Sequence, residues 1–148
     1  MGYRGIVLVV AALAPFLAVA QSGEDSAEKL FIEYQNRASA FDPAAADLYC
    51  ETATIRNTRT YPDGQQRVLD LPAPKYKELI RVAMPVAQAR GDTNKYSDVR
   101  YTQEGANVRI TATRYSELKQ YSSQLSLLVG PCSGGAWAVL EELSESRP

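Results

Sequence analysis

Phe41-Asp42-Pro43-Ala44-Ala45-Ala46-Asp47-Leu48-Tyr49-Cys50-Glu51-Thr52-Ala53-Thr54-Ile55-Arg56 is the stretch that decides this fold. Asp42 is an N-cap residue and Pro43 a first-position helix residue, so a short helix is predicted from about Pro43 to Cys50, with Leu48 and Tyr49 near its end. Thr52 to Tyr61 then alternates and is rich in threonine and isoleucine, which reads as a strand. Pro62-Asp63-Gly64 is a turn, because proline presets one dihedral and glycine accepts a positive φ. Gln65 to Leu71 returns as the second arm of a hairpin.

Working outward, Phe31, Tyr34, Ala38 and Phe41 recur at helical spacing and predict a helix from about Ala27 to Ala40. On the other side, Tyr76, Leu79, Ile80, Ala83 and Val86 give the apolar face of a third helix, about Lys75 to Arg90. Pro85 should kink that helix or end its first part, and Gly91 should stop it. Strands are then expected at Tyr96 to Gln103, Val108 to Leu118, Gln120 to Val129 and Ala136 to Leu143, with Gly130 to Gly135 as a loop. The order is α-α-β-β-α-β-β-β-β: an α+β domain with an antiparallel sheet and its helices gathered on one face.

The N-terminus has a different character. Arg4, an apolar run from Ile6 to Val19 and Ala18-Val19-Ala20 before Gln21 form a secretory signal with an A-x-A site, residues 1–20. The run is too short for a bilayer span, so after cleavage no membrane association is expected. Residues 21–26 then form a flexible N-terminus and 27–145 the domain. Export places the chain in a periplasm or outside the cell, where its two cysteines, Cys50 and Cys132, are expected to pair with each other. Two separate buried thiols are the alternative.

Removing the signal takes Arg4 and leaves 15 basic groups against 17 acidic ones. That balance speaks against nucleic acid or anionic lipid as partner. There is no histidine, which removes the commonest general base and metal ligand, so neither a metal site nor a cofactor is expected. Nine tyrosines against one tryptophan suit a half-polar cavity, a sheet surface or an interface.

The opening stretch, together with Gly135-Ala136-Trp137-Ala138-Val139-Leu140 near the end, resembles the nuclear transport factor 2-like superfamily, also called SnoaL-like or cystatin-like. The resemblance covers roughly residues 27–145. It implies a strongly curved antiparallel sheet wrapped around three helices, forming a cone with a pocket at its wide end. Its members include isomerases, dehydratases, polyketide cyclases and transport factors, so the fold does not settle the function.

Steroid-isomerase-like members place a carboxylate base two residues past the hydrophobic residue of the Ala-Thr-hydrophobic block. Here Asn57 stands there, and an amide takes no proton at neutral pH. Tyr34 is the loose counterpart of the helix tyrosine that donates to substrate in those enzymes. No catalytic residue is assigned. The candidate ligand-binding residues are Tyr34, Asn57, Tyr101, Tyr115 and Trp137. Arg56, Arg59 and Arg67 flank the first hairpin, where two arginines across the strands can hold an anion or serve as solvated edge charges. The function expected first is therefore an exported, non-catalytic domain that binds a small, largely apolar ligand or a protein partner. A structural protein that dimerises through its sheet face is one alternative. The other is a lyase or isomerase with a displaced pair, a tyrosine with Asp98 or Glu117; a desolvated carboxylate in the pocket would favour it.

Overall fold

The computed structural model describes residues 14–148, with side chains from Ser22 onward. Residues 1–13, most of the expected signal, lie outside the described residues. The elements are α1 (Ala14–Ser39), a 3-10 helix (Pro43–Leu48), β1 (Tyr49–Thr60), β2 (Gln66–Pro72), α2 (Ala73–Arg90), β3 (Asn94–Glu104), β4 (Asn107–Ser116), β5 (Tyr121–Pro131) and β6 (Trp137–Ser146).

Helix α1 begins well before Ala27, and 21–26, expected as a flexible lead, is helical. Packing offsets the poor helix propensity of Gly23 there, where a Cβ would stand 3.2 Å from the Gln103 side chain and 3.7 Å from the Trp137 ring. The helix therefore lies close against the sheet at that point. Its core stripe is Ala27, Leu30 and Phe31. It ends without glycine: Phe41 takes φ 55° while Asp42 N–H donates to Arg37 O at 2.9 Å.

Asp42 caps the next helix as expected, accepting from Ala44 N–H at 2.9 Å with Pro43 in the first turn. That helix is a 3-10 helix and stops at Leu48, so two α-helices and one 3-10 helix replace the three expected helices. Tyr49 and Cys50 belong to β1, where cross-strand pairing outweighs the local helical pattern. Helix α2 runs unbroken through Pro85, whose exposed position lets water satisfy the carbonyl that proline leaves free. Gly91, at φ 63°, ends it in the left-handed conformation.

The sheet order is β2-β1-β6-β5-β4-β3. Four of the neighbouring pairs are antiparallel, but β1 and β6 are parallel, which corrects the expected all-antiparallel sheet. The reason is topological. Helix α2 carries the chain from the β1–β2 hairpin to the far edge, and the β3–β6 meander works back until β6 arrives beside β1 running the same way. Register shifts at Tyr49/Thr54, Ser97/Arg100 and Leu128/Val129 bend the sheet. Both helices pack on its inner face, α1 over β3 and β4 and α2 over β1 and β2. The core between them centres on Phe31, Ile55, Ile110, Leu125 and Leu127.

Cys50 and Cys132 form a disulfide, with Cα atoms 5.9 Å apart. Cys132 opens the β5–β6 hairpin loop, where Gly134 and Gly135 both take φ 82° and Cys132 N–H donates to Ala136 O at 2.8 Å. The bridge ties that loop to β1, not to the helical layer. No helix among the described residues is long and apolar enough to cross a membrane.

Candidate functional site

The inner face of the sheet changes character along the strands. Three cross-strand rungs show it. The deepest reads Leu71, Ile55, Glu142, Leu127, Ile110. The next reads Leu69, Asn57, Ser144, Leu125, Ala112. On the outermost, Arg67 stands opposite Arg59 and Arg59 opposite Ser146; on the far side Ser123 stands opposite Arg114 and Arg114 opposite Tyr96. The strand period of two places all these residues on one face. The sequence therefore grades from aliphatic to guanidinium toward one end of the sheet.

A cleft of about 340 Å³ opens there. Ile55, Leu69 and Leu71 form its apolar wall, Tyr76 of α2 covers it, and Asn57, Arg59, Arg114, Glu142, Ser144 and Ser146 supply polar groups. Asn57 has both ends of its amide occupied. Its Nδ2 donates to Ser144 Oγ at 3.0 Å, and its Oδ1 accepts from Ser146 Oγ at 2.7 Å.

Glu142 is the group least expected from its surroundings. It is 1 % exposed, and its two ladder neighbours, Ile55 and Leu127, are equally buried. A carboxyl in such a place needs donors. Tyr49 donates to Oε2, and Tyr76 donates to Oε1 at 3.0 Å. The two rings meet edge to face, their centroids 5.3 Å apart. Beside them Tyr34 stacks on Phe31 at 5.9 Å and meets Tyr96 edge-on at 6.1 Å.

Burial pushes the phenols of Tyr34, Tyr49 and Tyr76 well above 10; the Glu142 carboxyl adds to this for all three, and the neighbouring Tyr96 adds to it for Tyr34. They are neutral donors at every physiological pH. Their folded pKa exceeds the unfolded one, so their contribution to stability is complete below about pH 10 and is lost as pH rises beyond it. In an alkaline titration followed by tyrosinate absorbance, these three ionise only together with loss of tertiary structure. Their smooth ionisation in a protein that stays folded would contradict this.

Of the candidate residues, Asn57 lines the cleft and Tyr34 stands beside it in the aromatic cluster. The other three lie elsewhere. Tyr101 stands near the acidic residues Glu24 and Glu28 of α1, Tyr115 is 38 % exposed, and Trp137 packs near Gly23. Asp98 and Glu117 also stand apart from the cleft lining. Asp98 is exposed in the β3 bulge, and Glu117 pairs with Lys95 at 2.7 Å. Sequence reasoning missed Glu142, Tyr49, Tyr76 and Arg114. No alternation marks Glu142: the register shift beside Leu128/Val129 places it on the same face as Val139 rather than in the row of Ala138 and Leu140. Among the described residues no cluster of candidate ligands could hold a metal ion.

No family model matches the chain, and no curated protein does. Solved structures do. An NTF2-like protein of unknown function from Pseudomonas putida aligns with a TM-score of 0.66 at 10 % identity, over 85 % of this chain and 87 % of its own. A candidate dehydratase of the NTF2-like family from Streptomyces avermitilis aligns at 0.60 and 10 % identity, over 84 % and 96 %. The β subunit of a candidate aromatic-ring-hydroxylating dioxygenase from Novosphingobium aromaticivorans aligns at 0.58 and 11 % identity, over 86 % and 92 %. The chain thus has the NTF2-like, cystatin-like fold.

Proposed function

We propose that this chain is an exported, non-catalytic domain that binds a small molecule in the cleft at the wide end of its cone. The observation that carries the reading is the graded inner face: an aliphatic wall of Ile55, Leu69 and Leu71 beside convergent polar groups, in a volume at the low end of small-molecule sites. Two features of the cleft speak against catalysis. Asn57, where a base would stand, is an amide with both ends engaged. Each Glu142 oxygen already accepts a phenol hydrogen bond, so the carboxyl is engaged in holding Tyr49 and Tyr76 in place. Export is supported by the N-terminal signal pattern and by a disulfide that joins the only two cysteines.

Self-assembly through the outer sheet face has less support. That face carries ion pairs, Arg56 with Asp70 and Arg109 with Glu104 and Glu141, and its apolar side chains Val68 and Leu143 are separate. Proton-transfer catalysis is favoured by one observation, the desolvated Glu142 carboxyl in the cleft lining.

Native mass spectrometry of protein purified from its own host tests the proposal. A retained small-molecule adduct, lost on denaturation, is expected on a chain that begins at Gln21. A bare chain mass, or a dimer without adduct, overturns the binding reading, and a mass that includes Met1 overturns export. Turnover abolished by Glu142→Gln with adduct binding kept would establish the catalytic reading instead.

A further inference from the structure

We propose that the cleft is selective for a monoanion, a carboxylate on a short apolar body, with Arg59 and Arg114 gripping the carboxylate and Arg67 adding its charge from across the hairpin. The inference deepens the binding proposal and rests on it.

Three guanidiniums share the outermost inner-face rung, and no acid stands on it. Two of them, Arg59 and Arg67, face each other directly, a like-charge arrangement that opposes folding. The same strands treat their outward-facing arginines differently. Arg56 of β1 has Asp70 at 2.7 Å, and Arg109 of β4 has Glu141 at 2.6 Å and Glu104 at 3.0 Å. Arg59 and Arg67 have no such partner among the described residues. Arg59 Nε is the one buried side-chain polar atom there without a hydrogen bond. Arg114 donates only to neutral groups, Ser123 Oγ at 3.3 Å and Glu145 O at 2.6 Å.

A buried guanidinium N–H left open costs stability unless something fills it. Within the lining the charges are Arg59, Arg114 and Glu142, a net of one positive. Arg67, just outside the lining, raises the excess to two, which suits an anion, and the planar guanidinium fork matches a carboxylate. Glu142 repels a second negative charge, which disfavours a phosphate dianion. Ile55, Leu69 and Leu71 offer the rest of the ligand an apolar wall. At about 30 Å³ per water-sized group, the 340 Å³ cleft takes roughly ten non-hydrogen atoms. Octanoate is of that size.

The experiment is calorimetric titration of the disulfide-bonded protein with octanoate, with octanol and with inorganic phosphate. Octanoate is expected to bind at least about tenfold more tightly than octanol, the gap expected from a charge-assisted hydrogen bond. Its affinity falls as salt rises, and phosphate does not compete at equal concentration. Arg59→Gln weakens octanoate by about tenfold or more, leaves octanol where it was and does not lower the melting temperature of the empty protein. Arg67→Gln, at an exposed position that folding tolerates, gives a smaller loss of the same sign. Equal binding of octanoate and octanol overturns the proposal while leaving the cleft a ligand site. Phosphate binding as tightly as octanoate overturns the carboxylate class. Binding of neither organic probe overturns the proposal outright, and the native adduct measurement then decides the broader reading on its own.

Discussion

Reduction of the Cys50–Cys132 bridge lowers the melting temperature by roughly 15 °C. The two residues are 82 apart in sequence, so the bridge closes a loop over more than half of the chain. In the chain-entropy account such a loop restricts the unfolded state by about 4.5 kcal/mol. A domain of this size holds only about 5–15 kcal/mol in total, so the loss is a large share. The structure gives a second reason. Cys50 lies at the start of β1 and Cys132 in the β5–β6 loop, so the bridge holds the closing loop of β6 against the strand that β6 must join in parallel. Thermal melts with and without reductant, and of a Cys50→Ala, Cys132→Ala double variant, measure it. The reduced wild type and the double variant are expected to melt together, and a melting point indifferent to reductant would refute the argument.

Glu142→Ala costs about 4 kcal/mol, and removing its two phenols as well returns much of that. Truncation leaves Tyr49 and Tyr76 hydroxyls buried without their acceptor, at about 2 kcal/mol each. The void between Ile55 and Leu127 adds to the loss. Glu142→Gln keeps one oxygen acceptor and costs less. Glu142→Leu combined with Tyr49→Phe and Tyr76→Phe replaces the polar trio by apolar groups of similar volume, and such replacements are often neutral or stabilising. Denaturant unfolding reads all three variants against wild type. If the single alanine variant matched wild type, the carboxyl would not be the anchor of the trio.

Local chemistry made much of this fold legible. Asp42-Pro43 caps a helix, Pro62-Asp63-Gly64 turns a hairpin and Gly91 ends α2, because each acts through dihedrals and hydrogen bonds within a few residues. The resemblance carried by the Leu48–Arg56 block and the Trp137 strand pointed to the right fold. What stayed hidden is what only pairing across the sheet creates. Arg59 was visible as a hairpin arginine, but its company with Arg114, far away in the chain, follows from register. The parallel direction of β1 and β6 depends on the whole path between them. Tyr101, Tyr115 and Trp137 lie outside the cleft, whereas Tyr49 and Tyr76 meet on Glu142 at its edge only because β1 and α2 pack together.

The strand that joins the two halves of the sheet, β6, is also the last to be made. It sits between β1 and β5, and its bond from Asn57 to Ser144 spans 87 residues. A nascent chain can form the β1–β2 hairpin and the β3–β5 meander, but they cannot be joined until β6 itself has been made. Contacts of such separation also form slowly. Closure of the sheet therefore waits for the whole of β6, through Ser146, to be available.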